Sequence, residues 1–181
     1  MNITIVGKGH VGGGLGAFWE RAGHTVNALG RDGGDASGAD VVVVAVPGST
    51  IADALAKVTG LEGKVAIDTT NAVGERPEGF ESLTHQVKSI VGGPTAKAFN
   101  TLFARLYDQV AEQEIPPGCL WCGDDEARDA TERLVRDAGY EPIRVGGLRF
   151  AVDLEDFLLN LVFPITQDRG AFFYRLQFAS T

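Results

Sequence analysis

The residues with the clearest capacity for chemistry stand near the amino terminus. Gly7-Lys8-Gly9-His10-Val11-Gly12 has the spacing G-x-G-x-x-G, after the β-branched run Ile3-Thr4-Ile5-Val6. It opens a segment in which Leu15, Phe18, Trp19 and Ala22 recur at helical spacing. In that setting Gly7 permits a tight turn, and Gly9 lets backbone N–H groups approach a pyrophosphate. Gly12 lets the helix pack closely on the strand. The anion then rests at a helix N-terminus, where unpaired N–H groups and the helix dipole both favour it. Lys8, His10 and Val11 ride on the same loop. His10 could meet the pyrophosphate or a second substrate, or stand solvated.

A second feature lies at the end of the next strand, Ala28-Leu29-Gly30-Arg31-Asp32. An acidic residue there suits the ribose hydroxyl of NAD, and an arginine suits the 2′-phosphate of NADP. Gly30-Arg31 places a planar guanidinium fork in position for a phosphate, so NADP is favoured. Asp32 pulls the other way, and Arg31 could also be a plain loop residue.

Other groups have simpler explanations. Cys119 and Cys122 have C-x-x-C spacing, but residues three apart on a strand face opposite sides, so two buried apolar thiols are expected. Asp124-Asp125-Glu126 reads as a helix start and not as a metal site, and no metal is expected. The chain lacks Y-x-x-x-K, G-x-S-x-G and H-E-x-x-H.

The elements that must position these groups alternate short apolar strands with amphipathic helices, the pattern of a mostly parallel sheet covered on both faces. Strands are expected at Asn2–Val6, His24–Leu29, Asp40–Val46, Lys64–Ile67, Val87–Val91, Gly118–Cys122 and Glu141–Val145. The unbroken Val41-Val42-Val43-Val44 suits a central strand. Helices are expected at Gly12–Ala22, at Ile51–Val58 behind a Thr50/Asp53 capping box, and at Glu126–Ala138 closed by Gly139. A last one spans Leu148–Leu161, with Pro164 breaking or kinking it. Only Gly30 to Ala39 links the second strand to the third, too little for a full crossover, so a shortened link is expected.

With 181 residues, 44% of them hydrophobic, the chain can bury a full core as one domain. The net charge of −8 disfavours nucleic acid and anionic membrane surfaces as partners, and no apolar run approaches the ~20 residues of a membrane span. Two cysteines offer no disulfide framework, and the opening residues read as a strand, not a signal peptide. A cytoplasmic location is therefore expected. Residues 1–161 form the expected nucleotide-binding domain. Residues 162–181 form an aromatic tail that packs back on it or meets a second copy in a homodimer.

Several stretches occur in a specific order: Ile5-Val6-Gly7-Lys8-Gly9-His10-Val11-Gly12, Gly30-Arg31, Val44-Ala45-Val46-Pro47, Ile67-Asp68-Thr69-Thr70-Asn71, Lys97-Ala98-Phe99-Asn100-Thr101 and Cys122-Gly123-Asp124-Asp125. Together they resemble the coenzyme F420-dependent NADP oxidoreductases, over the span from Met1 to about Leu161. The resemblance implies a Rossmann-type fold with NADP(H) across the carboxyl ends of the strands. It also implies hydride exchange with a deazaflavin or flavin-like small-molecule acceptor. The nicotinamide then lies near Val46, Pro47, Asn71 and the Ala98–Asn100 segment. Asn71 and Asn100 are the candidates for orienting the nicotinamide or acceptor, although each could equally cap or turn the chain. Pro47 could press on the ring or merely end its strand. Lys97 is expected to point outward from a strand. Family members usually carry proline after the asparagine, where this chain has Ala72. An imine reductase of the pyrroline-carboxylate type and a non-catalytic dinucleotide sensor are the alternatives.

Overall fold

The computed structural model describes residues 1–74 and 76–179; Glu75 and the last two residues of the expected tail, Ser180 and Thr181, lie outside the described residues. The elements in chain order begin with β1 (Asn2–Val6), α1 (His10–Arg21), β2 (Thr25–Leu29), β3 (Gly34–Asp35) and β4 (Val41–Val44). Then come α2 (Ile51–Leu55), β5 (Val58–Thr59), β6 (Val65–Asp68), α3 (Leu83–Val91) and β7 (Thr95–Lys97). The chain continues through β8 (Gly118–Gly123), α4 (Arg128–Asp137), β9 (Glu141–Gly146), α5 (Ala151–Phe157) and α6 (Phe163–Arg169).

Seven strands form one sheet in the order β2-β1-β4-β6-β7-β8-β9. All neighbours run parallel except β7 and β8, which are antiparallel. The valines of β4 explain its central place. Val41 and Val43 face one core with Leu15 and Trp19 of α1 and Leu134 of α4. Val42 and Val44 face the other with Ile51 and Leu55 of α2 and Val87 of α3. A strand apolar at every residue is stable only when helices cover both its faces. The shortened link is present as well. Between β2 and β4 the chain makes only the two-residue β3, which pairs with β5 beside the main sheet.

Several local expectations are corrected. Val87–Val91 is not a strand but the end of α3, whose Ser82 hydroxyl caps the His85 N–H. Val87 and Val91 belong to the buried stripe of a helix while Ile90 faces out, and the missed strand is β7, only three residues long. Thr50 and Asp53 make no capping box. The Thr50 hydroxyl instead donates to the Pro47 carbonyl, and α2 stops after five residues because Val58 is drawn into β5. Asp124 does not cap a helix with its side chain; it accepts from the Thr95 N–H and from Lys88. Pro164 does not break the last helix. A π-helical stretch over Leu158–Val162 precedes it and the helix runs on to Arg169; the wider turn makes room for a proline ring and its missing N–H. Gly139 does close α4, at φ +86°.

The chain beyond α6 returns to the domain. The Tyr174 carbonyl accepts from the Gly118 N–H at 2.7 Å, its hydroxyl bonds Thr101, and Phe173 packs on the first core. Among the described residues, no helix is long and apolar enough to cross a membrane.

Candidate functional site

Strand order reverses between β1 and β4: β2 lies outside β1, and the later strands of the sheet, β6 to β9, lie beyond β4. Parallel sheets bind ligands in the crevice beyond the strand ends at such a point. A cleft of about 610 Å3 opens there. Its walls come from three loops: Val6, Gly7, Lys8 and Gly9 after β1, Gly30 and Arg31 after β2, and Ala45, Val46 and Pro47 after β4. Thr50, Asp53, Ala54 and Lys57 close the remaining side.

The glycines behave as their spacing predicts. Gly7 has φ +118°, and a Cβ on it would lie 2.2 Å from the Ala45 carbonyl oxygen. A Cβ on Gly12 would lie 2.0 Å from the Gly7 oxygen, so both positions are closed to any side chain. Gly9 differs: a Cβ there would meet nothing within 4 Å. The backbone at Gly9 therefore faces open space, as a ligand-binding loop must. It stands at the N-cap of α1, whose first turn carries no acidic residue and no side-chain cap. The first N–H groups of an α-helix have no partner within it, so they stay available to an anion. These features fit the diphosphate of a dinucleotide.

At the other end, the Gly33 N–H donates to the Gly30 carbonyl at 3.2 Å, a tight turn with Arg31 and Asp32 at its centre. Arg31 lines the cleft and Asp32 does not. Lys8 and Lys57 line it too. Lys57 escaped the sequence reading because its place depends on how β3 docks against β5.

The remaining candidates are not all in the cleft. His10 is exposed, Val11 half-buried and Gly12 buried within α1, and none of the three lines the cavity. Asn71, Ala98 and Asn100 form a separate cluster. The Asn71 side-chain amide donates to the Asn100 carbonyl at 2.8 Å, and that of Asn100 donates to Asn71 Oδ1 at 2.9 Å and to the Leu154 carbonyl at 3.0 Å. Ala98 and Asn100 are buried, while Asn71 is half-buried. Asn71 touches the cleft's Pro47 end indirectly, since a Cβ on Gly48 would lie 2.8 Å from its carbonyl oxygen. Asn100 Oδ1 is buried without a hydrogen-bond partner among the described residues. Phe99, just before it, has φ +64° although it is not glycine. Such a conformation costs on the order of 1–3 kcal/mol and persists only where its surroundings enforce it; here the ring is locked edge-on against Trp19.

Behind the asparagines lies an ionic cluster absent from the sequence reading. Lys97, expected to point outward, is fully buried, with Nζ 2.7 Å from Asp68 Oδ2 and 3.3 Å from Glu155 Oε1. It also donates to the Thr70 carbonyl at 2.8 Å. Asp68 accepts in addition from the Thr84 hydroxyl and the Thr70 N–H. Glu155 accepts from the Leu83 N–H and from Arg76 Nε. The hydrogen bond that Arg76 donates to Asp156 raises the guanidinium above its usual range; burial opposes this, and the weaker effect of the bond donated to Glu155 adds to it. Asp68 and Lys97 are directly paired on β6 and β7, a signal that correct strand assignment exposes. Glu155 is remote in sequence, and its pairing with Lys97 is set only by the fold. Cys119 and Cys122 are both fully buried, in separate core clusters, and burial pushes each thiol up to about 12.

No protein-family model matches this sequence, and no curated protein matches it significantly. Solved structures do. A protein of Arthrobacter sp. FB24, provisionally described as an F420-dependent NADP reductase, superposes with a TM-score of 0.81 at 21% identity, over 99% of this chain and 100% of that one. A hypothetical protein from Sinorhizobium meliloti gives 0.68 at 25% identity, over 82% and 86%. An imine reductase of Streptomyces aurantiacus gives 0.68 at 12% identity, over 93% of this chain and 64% of that chain. With its doubly covered parallel sheet and its crevice at the strand reversal, the chain therefore has a Rossmann-like α/β fold.

Proposed function

We propose that this chain is an NADP(H)-dependent oxidoreductase that exchanges hydride with a deazaflavin, coenzyme F420, or with a flavin-like acceptor. The observation that carries the reading is the open Gly9 backbone at the start of α1, facing a cleft with Arg31 at its far end. Gly7, Lys8, Gly9, His10, Val11 and Gly12 supply the diphosphate loop. Gly30 and Arg31 hold the adenosine end. Val46 and Pro47 bound the side toward the nicotinamide, and the separate cluster of Asn71, Ala98 and Asn100 backs that side from behind Gly48. The bound coenzyme supplies the hydride itself. The protein's task is to hold the two rings together and keep water out. The rigid Asn71–Asn100 pair, tied to the Leu154 carbonyl beside the ionic cluster, suits that task by fixing the segments behind the cleft. No side chain needs to act as acid or base for such a transfer.

The deazaflavin acceptor is supported by the similarity to the Arthrobacter protein, which runs the full length of both chains. An imine acceptor is the second reading, favoured by the likeness to the Streptomyces enzyme, of which this chain spans 64%. In either reading residues 1–161 form the coenzyme-binding unit in the cytoplasm, and the tail from residue 162 packs back on it or meets a second copy in a homodimer.

The deciding experiment follows 340 nm absorbance with NADPH and, in turn, coenzyme F420, FMN and a cyclic imine. Loss of absorbance with F420 or FMN is expected. Turnover with the imine alone transfers the chain to the second reading, and tight NADPH binding without any turnover makes it a sensor.

A further inference from the structure

The cationic end of the cleft is built by more than the guanidinium that the sequence singles out. Lys8, Arg31 and Lys57 line it together, and among the described residues none of the three has a carboxylate within 4.0 Å. Other cations of the chain, Lys64 among them, also lack a carboxylate partner among the described residues, so what sets these three apart is that they converge on one cavity. In a chain of net charge −8, three unneutralised cations around one cavity end mark a place prepared for anionic oxygen.

Lys57 is the structurally committed member. It stands just after α2, where the shortened link lands. Its carbonyl accepts from the Gly34 N–H at 3.1 Å, and its ammonium donates to the Arg31 carbonyl at 3.2 Å. Gly33, at φ +76°, runs so close that a Cβ on it would lie 2.0 Å from the Lys57 oxygen. One residue thus grips the Arg31 turn from both sides. An ammonium has three N–H donors, so after the Arg31 carbonyl two remain for a ligand. Asp53, one turn earlier, is the one carboxylate among the lining residues, and the three cations outnumber it.

We propose that Lys57 is a second determinant of coenzyme choice. Its ammonium and the Arg31 guanidinium bracket a phosphate monoester on the adenosine ribose. Its hold on the Arg31 carbonyl replaces the support that a longer link after β2 would give. This rests on the NADP(H) reading above and adds to it a residue from the following βα unit.

Calorimetric titration of the wild type, Lys57→Gln, Lys57→Arg and Lys64→Gln with NADPH and with NADH tests the inference. Lys64 is the control, because its ammonium also holds a loop carbonyl, that of Ser37 at 2.7 Å, but lies outside the cleft. Lys57→Gln is expected to weaken NADPH binding about ten- to thirtyfold, the scale of a charge-assisted hydrogen bond, and NADH binding less than about twofold. Lys57→Arg should keep the preference, and Lys64→Gln should change neither affinity. The wild-type preference should also rise through about pH 6, where a phosphate monoester loses its second proton, and Lys57→Gln should flatten that rise. Equal losses for both coenzymes, or none, overturn the inference. So does a wild type that binds NADH as well as NADPH, which leaves the dinucleotide reading standing. A wild type that binds neither coenzyme overturns both.

Discussion

Glycine at position 9 and glycine at position 7 look alike in the motif but differ in physical role, and the difference can be measured. Gly7 sits at a positive φ with the Ala45 carbonyl where a Cβ would go, whereas Gly9 faces open space. Gly7→Ala should therefore lower the melting temperature sharply. Gly9→Val should leave thermal stability near wild type while abolishing detectable NADPH binding, because the added side chain occupies the place of the diphosphate. A Gly9→Val protein that still binds NADPH normally would remove the diphosphate loop from the reading. Arg31→Ala should cost NADPH binding about 1.5–3 kcal/mol, the scale of a hydrogen bond to a charged group. NADH binding should barely change, and an equal loss for both counts against a 2′-phosphate contact.

At the scale of elements, the buried cluster ties β6, β7 and α5 into one unit. Lys97 joins Asp68 to Glu155, and Glu155 in turn holds the start of α3 through the Leu83 N–H. Removing one partner from such a group leaves a buried charge uncompensated, at a cost of roughly 3–5 kcal/mol. Lys97→Ala should therefore lower the melting temperature by about 6–20 °C, at roughly 2–4 °C per kcal/mol for a domain of this size. Arg76→Gln, at the half-exposed rim of the cluster, should cost about 1 kcal/mol or less. If Lys97→Ala melts like the wild type, the cluster does not hold these elements together. The sequence suggested an outward lysine because β7 is short and its neighbours are not visible in the local pattern. Pro164 shows the same limit. Local rules place a break there, and the π turn at Leu158–Val162 removes the need for one.

For the whole molecule, two properties follow from burial. Both thiols are pushed up to about 12, against ~8.5 in an unfolded chain. The folded state keeps its protons where the unfolded state loses them. Stability is thus undiminished below about pH 8.5 and falls as pH rises from there toward 12. Burial raises Tyr107, Tyr140 and Tyr174 as well, which steepens the loss above ~10. Urea midpoints at pH 7, 9 and 10.5 should show it, and a flat profile contradicts it. The second property is the apolar surface at the carboxyl end. Leu161, Phe163, Ile165, Leu176 and Phe178 are all exposed. The proposed homodimer should bury part of this surface, and sedimentation showing only monomer at micromolar concentrations removes it.

The amino-acid sequence by itself determined the layered α/β architecture, the Gly7–Gly12 loop and the short link after β2. These rest on local rules: period of apolar residues, β-branched runs, and glycine where the backbone must turn or approach. It also placed the two cysteines on opposite faces of one strand, since odd spacing on a strand separates faces. Only the tertiary structure decided that Val87–Val91 is helical, that Lys97 is buried with Asp68 and Glu155, and that Lys57 reaches the Arg31 turn. Each of these depends on residues far apart in the chain meeting in space. Packing against a remote partner, not the residue's own neighbours, fixes burial and charge pairing there.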